Sequence, residues 1–259
     1  MKKVSICIPT TELIYSDGTV MGPYMLNYLL KSISIQSYKN IEIIISDQSN
    51  SNVIEKECEN WGHLNIIYHK NESGRGSAAK NLNYSFTKAS GEIVKPIFQD
   101  DFFLNESSIE YIVNNLGDNK WGFFGTYHCN ENNINNLIRP ISPVWGDPIK
   151  ILSGINTVSG PSVMFFENDY NFFDEDLGWL NDVEFYYRLF KKYGLPLLLP
   201  EQKVVQRLRS EGVSNTLDNQ LKLEEEKYVL AKHEIINGSK KIEDYPFIIN
   251  RLKKINYEI

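Results

Sequence analysis

The chain has 259 residues and a mass of 30.0 kDa, and its 27 Lys and Arg residues against 33 Asp and Glu residues give a formal charge of −6 at pH 7. A sequence-independent nucleic-acid binder needs excess positive charge to neutralise phosphates, so this acidic balance argues against that class. The composition, with 42% hydrophobic and 23% charged residues, is typical of an ordinary globular protein and not of a disordered chain. Any phosphate that the protein binds must therefore be neutralised locally.

The cysteines and the apolar runs indicate a cellular compartment. Cys7, Cys58 and Cys129 are odd in number, far apart and without metal-ligand spacing, which predicts buried, reduced thiols. The first apolar run ends at Pro9 and is too short for a signal-peptide core. No run approaches the roughly 18 apolar residues of a membrane-spanning helix. We therefore expect a cytoplasmic protein.

Strands alternate with amphipathic helices through the first hundred residues. Apolar runs predict buried strands at 4–8, 42–46, 64–68 and 93–98. Apolar residues at helical spacing predict helices over 26–33 and 53–61, and a third helix that follows the glycine-rich turn 73–77 and ends at Gly91. This alternation is typical of parallel βαβ units, so the first hundred residues should form an open α/β sheet.

The pattern changes after residue 101. The expected elements are a helix at 105–116, a strand at 121–127, a solvated Asn-rich loop at 130–136, a strand at 162–166, a helix at 182–193, one or two strands within 197–206 and a charged surface helix at 221–236. There is no internal repeat and no linker that would separate two folding units. The simplest interpretation is one domain with a C-terminal helical annex.

Polar residues directly after three predicted strands are the first candidates for a site. They are Pro9-Thr10 after the first strand, Asp47 after the second and Gln99-Asp100-Asp101 after the fourth. Ligands of open parallel sheets bind outside the carboxyl ends of the strands. Asp and Ser are also ordinary turn and cap residues, and for Asp47 alone the two interpretations weigh equally.

The adjacent carboxylates of Asp100 and Asp101 give a sharper signal. They repel one another unless a cation lies between them, and oxygen-only ligands favour Mg or Mn over Zn. The alternative is a solvated loop with an N-capping carboxylate.

Two further segments combine features of a turn with features of a binding site. Residues 74–79 fit the G-x-G-x-x-G/A pattern weakly, because the pattern follows the third strand and not the first; Arg75 and the helix start could hold an anion, or the segment could be a flexible loop. The acidic segment 174–184 contains Trp179 and Asp182. A carboxylate beside a Trp suits a general base acting on a sugar hydroxyl, whereas the alternatives are helix capping by Asn181 or Asp182 and a core Trp.

Six sequence blocks, taken in order, resemble the family 2 glycosyltransferases of the GT-A fold. The blocks are VSICIPT, SISIQSYKNIEIIISDQSN, GRGSAAKNLNYSFTKASGEIV, FQDD, DEDLGWLNDVEFYYRL and QRLRSEGVSNT. The resemblance spans most of residues 4–216 and implies an α/β fold of GT-A type, an open mixed sheet of Rossmann-like βαβ units flanked by helices. It implies a glycosyltransferase domain at 1–216 and a C-terminal helical extension at 217–259 packed on it.

The same resemblance implies roles for individual residues. The implied contacts to the donor nucleotide are Pro9, Thr10, Asp47, Arg75, Gln99 and Asp100. Asp100 and Asp101 match the DXD motif that binds Mn or Mg, and Asp182, in the position of the family's Glu-Asp motif, is implied as the catalytic base. The implied contacts to the diphosphate or the acceptor are Arg207, Arg209, Trp179 and Asn181.

Two departures from the family pattern affect these roles. Phe98 occupies the place of the first Asp of D-x-D-D, so Gln99 could replace its contact, and the main metal ligand could be either Asp100 or Asp101. Arg209 stands where the family often has a His; it cannot ligate a metal but can hold a diphosphate. The alternative for Arg207 and Arg209 is a solvated pair at the end of a strand.

The resemblance implies an inverting glycosyltransferase of the hexosyl or N-acetylhexosaminyl class that uses a nucleoside-diphosphate sugar, with UDP favoured. The implied acceptor is a glycan or lipid-linked glycan in the synthesis of a bacterial surface polysaccharide such as lipopolysaccharide or capsule, at the inner membrane face. A basic cluster of Arg251, Lys253 and Lys254 could contact that membrane or be solvated surface charge. The competing functions are an inactive nucleotide-sugar-binding protein and an NAD-dependent oxidoreductase.

Overall fold

The structure is a computed structural model that describes residues 1–209, 217–236 and 245–247. Within these ranges the strands form one mixed sheet with the order β3-β2-β1-β4-β8-β6-β9-β5, and β7 pairs with β6. The strands are β1 (Val4–Thr10), β2 (Ile41–Asp47), β3 (Ile66–Lys70), β4 (Ile93–Pro96), β5 (Phe102–Phe103), β6 (Trp121–Asn130), β7 (Asn133–Ile141), β8 (Met164–Glu167) and β9 (Leu197–Leu208).

Helices cover the sheet. The helices are α1 (Gly22–Ser34), α2 (Val53–Glu59), α3 (Ala78–Thr87), α4 (Ser108–Leu116), α5 (Pro148–Leu152), α6 (Asn181–Tyr193) and α7 (Asn219–Lys232). The apolar stripe of α1, Leu26, Leu29, Leu30 and Ile33, is buried as its spacing predicts. All three cysteines are buried and free, which confirms the prediction of reduced thiols.

The first half of the sheet is parallel, as predicted from the alternation of strands and helices. β1 pairs with β2 on one side and with β4 on the other, and β2 pairs with β3. The register sets Thr10 beside Asp47, so the carboxyl ends of β1 and β2 lie side by side. The predicted polar strand ends therefore share one edge of the sheet.

The second half of the sheet is mixed. β8 runs antiparallel to β4 and to β6, and β9 runs parallel to β6. This arrangement brings the end of β9, which carries Arg207, next to the segment that follows β4 and carries Asp100 and Asp101. A parallel βαβ sheet alone would not place these segments together.

The prediction of a solvated loop at 130–136 is wrong. β6 continues to Asn130 and turns through Glu131 and Asn132 into β7, with Asn130 paired to Asn133. The residues of β7 are half-buried or exposed, so its polar side chains stay in contact with water and carry no desolvation penalty. Backbone hydrogen bonds to β6 hold β7 in the sheet. These bonds do not depend on side-chain type, whereas the prediction relied on the pattern of side chains. The short elements α5 and β5 were not predicted.

Helix α7 packs on the core. Leu223, Val229 and Leu230 are buried together with Glu225 and Glu226, while Glu224 and Lys227 are exposed. The predicted domain boundary at residue 216 and the basic cluster at Arg251 lie outside the described residues. Among the helices that the structure describes, none is long and apolar enough to cross a membrane.

Candidate active site

A cavity of about 360 Å³ opens at the edge of the sheet where β4 and β9 end. Six separate segments of the chain form its wall, and most of its lining side chains are polar or charged. The lining residues are Ala78, Phe98, Asp100, Asp101, His128, Ser159, Gly160, Pro161, Gly178, Trp179, Asn181, Asp182, Gln206, Arg207, Leu208 and Arg209. The predicted base, metal and diphosphate residues thus meet in one place.

Asp182 lies in the first turn of α6 with its carboxyl half-buried in the cavity wall. Oδ1 accepts a hydrogen bond from the backbone N–H of Val183 at 2.7 Å, and Oδ2 accepts one from Nδ2 of Asn156 at 3.2 Å. Burial raises the pKa of Asp182 to about 6, against the lowering effect of these hydrogen bonds. The carboxyl is therefore ionised at neutral pH and is a stronger base than an ordinary Asp.

Neither Asn181 nor Asp182 is the N-cap residue of α6, although Oδ1 of Asp182 does accept a first-turn N–H, that of Val183. The N-cap residue of α6 is Leu180, which makes no side-chain cap. Asn181 instead directs Nδ2 back to the carbonyl of Gly178 at 3.3 Å. Trp179 is half-buried on the cavity wall, and Nζ of Lys222 lies 5.7 Å from the centre of its ring. Trp179 is also one of the residues that line the cavity.

The loop that holds Asp182 comes from a segment that sequence reasoning did not assign to the base. Asn156 donates both to Asp182 and to the carbonyl of Ser159, at 2.9 Å. Ser159 has a positive φ of 76° and donates from Oγ to Oε1 of Gln206 at 2.5 Å. Tyr186 of α6 donates to the Ser159 carbonyl at 3.2 Å. The polar turn residues around Ser159-Gly160-Pro161 were the available signal in the sequence.

Asp100 forms an ion pair with Arg209 in the cavity wall. Nε of Arg209 donates to Oδ2 of Asp100 at 2.6 Å, and the two side chains are 17% and 15% exposed. The carboxylate of Asp100 raises the pKa of Arg209, although burial acts in the opposite direction. The alternative of a solvated strand-end pair does not describe Arg209, which is largely enclosed at the site.

Asp101 is more deeply buried than its neighbour, at 6% exposure. Its Oδ1 accepts the backbone N–H of Arg207 at 3.0 Å, which ties the Asp pair to the end of β9. Burial raises the pKa of Asp101, and the negative charge of Asp100 adds to that effect. The pair is therefore a site where added positive charge is favourable.

The two carboxylates fit a divalent cation only in part. Their oxygens are the hard ligands that Mg and Mn prefer. Within the described residues there is no group of three or more His, Cys, Asp or Glu side chains arranged to hold a metal ion. Asp100 and Asp101 are thus the candidate protein ligands of a cation, and its remaining ligands would have to be oxygens of a bound diphosphate or water.

Arg207 is a buried cation with unused hydrogen-bonding capacity. Its side chain is 5% exposed, and none of its three guanidinium nitrogens has a hydrogen-bond partner among the described residues. The guanidinium carbon lies 5.6 to 6.0 Å from the ring centres of Tyr28, Tyr24 and Phe102. Aromatic faces stabilise a cation without using its N–H groups. These N–H groups are enclosed in the structure, so Arg207 can donate to an anion in the cavity only after its side chain moves.

The predicted nucleotide contacts at the ends of β1 and β2 lie outside the cavity lining. Asp47 is fully buried; its carboxylate accepts from Oη of Tyr68 at 2.7 Å, from Nζ of Lys70 at 2.9 Å and from the N–H of Ser49 at 2.8 Å. Thr10 is buried and donates to the Ser46 carbonyl at 3.2 Å. A base or ribose could reach the Asp47 carboxylate only by replacing one of these partners.

Gln99 and Arg75 occupy different settings from each other. Gln99 is buried, and its side-chain amide forms two hydrogen bonds with the backbone of Thr11. Its Oε1 accepts the Thr11 N–H at 2.8 Å, and its Nε2 donates to the Thr11 carbonyl at 3.1 Å. Arg75 lies in the glycine-rich turn and donates to Oδ1 of Asn50 at 2.7 Å. That turn follows β3 and leads into α3, and Ser77 caps the helix. It does not follow β1, where a dinucleotide-binding turn would lie.

Comparison with known proteins places this geometry in a family. The model of glycosyl transferase family 2 matches residues 22–166. An uncharacterized glycosyltransferase of Rickettsia conorii is 26% identical over 232 residues, which cover 83% of this chain and 36% of that protein. A second one, from Rickettsia typhi, is 25% identical and covers 84% of this chain and 68% of that protein. The chain therefore spans about a third of the length of the first relative.

Solved structures with the same fold include S. aureus TarS in complex with UDP-GlcNAc, with a TM-score of 0.61 and 16% identity over 98% of this chain and 80% of that chain. GalNAc-T7 with UDP, GalNAc and Mn²⁺ gives a TM-score of 0.64 at 13% identity over 89% of this chain and 48% of that chain. These likenesses confirm the predicted α/β fold of GT-A type. Because the family model covers more than half of the residues, the chain belongs to glycosyl transferase family 2.

Proposed function

We propose that this chain is an inverting glycosyltransferase that moves a sugar from a nucleoside-diphosphate sugar to a hydroxyl of a saccharide or lipid-linked saccharide. The observation that carries the proposal is the single cavity in which a half-buried carboxyl, Asp182, faces a cluster of cationic and anionic groups. Membership of glycosyl transferase family 2 supports the same reaction class. A base and a charge-stabilising cluster in one cavity are what this transfer requires.

Asp182 acts as the general base. The acceptor hydroxyl attacks the anomeric carbon from the face opposite the diphosphate, so a new C–O bond forms as the bond to the β-phosphate oxygen breaks. The hydroxyl proton passes to a carboxylate oxygen of Asp182. Hydrogen bonds from Asn156 and Val183 fix the orientation of the carboxylate, and its pKa of about 6 leaves it ionised at neutral pH.

The leaving diphosphate needs positive charge and no proton. Arg207 offers unpaired N–H groups, and Arg209 stands over Asp100 at the same wall. Both can donate to anionic phosphate oxygens, in the geometry that guanidinium groups favour. A Mn or Mg ion held by Asp100 and Asp101 would add charge neutralisation when bound. The Asp pair would otherwise repel the diphosphate.

The donor is proposed to be a UDP-sugar, in the hexosyl or N-acetylhexosaminyl class. TarS in complex with UDP-GlcNAc and GalNAc-T7 with UDP support this choice, whereas a mannosyltransferase of similar fold from Pyrobaculum calidifontis is bound to GDP-Man and Mn²⁺. The proposed contacts to the donor nucleotide lie at the ends of three strands and in the glycine-rich turn: Pro9 and Thr10 after β1, Asp47 after β2, Arg75 in the turn, and Gln99 and Asp100 after β4.

The acceptor is proposed to be a surface glycan intermediate. Trp179 and Asn181 lie beside Asp182 on the cavity wall, where the indole could stack on a sugar ring. An acceptor placed there would present its hydroxyl to the base. We propose that the enzyme acts at the inner face of the membrane, in the synthesis of capsule or lipopolysaccharide.

A screen of nucleotide sugars tests this function. Release of nucleoside diphosphate is measured for pooled UDP- and GDP-sugars, with and without Mn, in parallel with thermal unfolding. The proposal predicts that one donor raises the melting temperature and is consumed. Stabilisation by a donor with no release in any acceptor pool would favour the inactive binding protein. Stabilisation by NAD and by no nucleotide sugar would favour the oxidoreductase.

A further inference from the structure

The C-terminal helix α7 reaches into the active-site wall through Glu225. The side chain of Glu225 is 6% exposed. Its Oε1 accepts the backbone N–H of Gly178 at 2.7 Å, and its Oε2 accepts the N–H groups of Trp179 at 2.8 Å and Leu180 at 2.9 Å. One carboxylate thus binds three consecutive backbone amides, 45 to 47 residues earlier in the chain.

These three amides lead directly into α6. Leu180 is the N-cap residue of that helix and supplies no side-chain cap of its own. The amides before and at a helix start carry partial positive charge and need acceptors. Glu225 provides the missing acceptor from another helix. Gly178 allows the approach, because a Cβ there would lie only 3.2 Å from Oε1.

The segment that Glu225 holds is the one that carries the site. Gly178 and Trp179 line the cavity, and Asp182 follows two residues after Leu180. Further contacts join α7 to the longer acidic segment 174–184 that contains these residues. Nζ of Lys222 lies 5.7 Å from the Trp179 ring centre, and Nζ of Lys232 binds Asp174 at 2.6 Å and Glu184 at 2.8 Å. Helix α7 therefore contacts the segment 174–184 at its start, its middle and its end.

We propose that Glu225 is a positioning residue for glycosyl transfer, which sets Trp179 and Asp182 against the acceptor by fixing residues 178–180. The inference rests on the proposed function and adds to it a role for the C-terminal helical annex. Glu225 touches no reacting atom. Its effect should therefore fall on turnover and leave the donor site unchanged, since Glu225 binds residues 178–180, whereas the proposed nucleotide contacts belong to β1, β2, the turn before α3 and the segment after β4.

The test compares Glu225→Ala and Glu225→Gln with Glu224→Ala in the full chain. Glu224 is the exposed neighbour on α7, where its carboxylate accepts from Gln220. For the donor found by the screen, kcat of transfer and the donor Kd are measured separately. Displacement of a reacting group by about 1 Å can cost on the order of 100-fold in rate, so Glu225→Ala should lower kcat by about 10- to 100-fold with donor Kd within about twofold.

Glu225→Gln keeps one acceptor oxygen and should have an intermediate kcat. The kcat of every variant is expressed per donor-binding site counted by calorimetry, so that unfolded protein does not count as lost turnover. If Glu225→Ala does not fold, Glu225→Gln alone decides, with a severalfold loss of kcat expected. A kcat equal to that of Glu224→Ala, or a donor Kd that weakens as much as kcat falls, would overturn the inference. Absence of transfer in the unsubstituted chain would refute the proposed function instead.

Discussion

The rate of transfer should depend on the ionisation of Asp182, and Asn156 should set the pH at which that happens. Burial raises the pKa of Asp182 to about 6, and the Nδ2 hydrogen bond from Asn156 acts to lower it. A carboxyl must be ionised to accept a proton, so kcat should fall as the pH drops through about 6. The substitution Asn156→Ala removes a donor that stabilises the ionised form. The acid limb of the pH profile, where kcat falls, should therefore move to higher pH.

The size of the movement follows from the bond that is lost. A hydrogen bond to a charged group is worth roughly 1.5 to 3 kcal/mol net, and the 3.2 Å separation between Asn156 and Asp182 points to the lower end. Since about 1.4 kcal/mol corresponds to one pKa unit, the limb should move up by about one pH unit.

The assay is release of nucleoside diphosphate at saturating donor from pH 4.5 to pH 9. Asn114→Ala, which alters an exposed residue of α4, is the control and should leave the limb in place. A limb that stays in place or moves down in Asn156→Ala, with the chain folded at every pH, would refute the reasoning. A lower plateau without a shifted limb would mean that Asn156 orients a group other than the base.

Three further predictions concern the metal pair, a buried ion cluster and the sheet. Asp100→Ala should weaken Mn-dependent donor binding in calorimetry by at least about 10- to 100-fold, the cost of losing only an outer-shell partner of a metal, and an affinity independent of both Mn and the substitution would contradict the metal role. Glu184 is buried among Arg188, Lys232 and His233; although burial acts to raise its pKa, these partners lower it from 4.5 to about 2. Because this pKa is depressed in the fold, its stabilisation of about 3 kcal/mol is present above pH 4.5 and is lost as the pH falls through about 2. In urea unfolding, Glu184→Gln should therefore be destabilised at pH 7 and match the unsubstituted chain near pH 2, and a gap that is constant with pH would contradict this. Gly122→Ala should destabilise the fold by about 1 to 3 kcal/mol, because its Cβ would collide with the Leu197 carbonyl and the Phe165 ring, whereas Gly62→Ala, with the nearest atom 3.7 Å away, should be nearly neutral.

The parallel half of the sheet could be predicted because side-chain patterns determine it. β1 and β2 are buried on both faces, so they appear in the sequence as continuous apolar runs that end at polar residues. β7 could not be found in the same way. Its side chains are mostly half-buried or exposed and rich in Asn, and pairing of its backbone with β6 holds it in the sheet.

The site was predictable where residues stand next to one another in the chain and not where distant segments meet. The strand-end position of Asp100 and Asp101 and the helix-start position of Asp182 could be read locally. The bond from Asn156 to Asp182 joins residues 26 apart, and the bonds from Glu225 span more than 40 residues. Such contacts depend on the packed fold, because Asn and Glu have no periodicity that marks them as partners.

The family assignment is confirmed, whereas the roles of individual residues stay predictions. The structure places Asp100, Asp101, Asp182, Arg207 and Arg209 around one cavity. It places Thr10, Asp47 and Gln99 in internal hydrogen bonds near it. The hydrogen bonds of Thr10, Asp47 and Gln99 hold the strand ends together, so a substitution of any of these residues should be measured by both its unfolding free energy and its donor affinity.

The central claim is that Asp182 removes the acceptor proton. The most direct measurement is the single-turnover rate of transfer at saturating donor for Asp182→Asn, beside the donor affinity of the same variant. Asp176→Asn, an exposed carboxylate in the same acidic segment, is the matched control. Loss of a general base should lower the rate by about 100- to 10,000-fold with donor affinity nearly unchanged, and Asp176→Asn should transfer normally. Near-normal transfer by Asp182→Asn would contradict the claim.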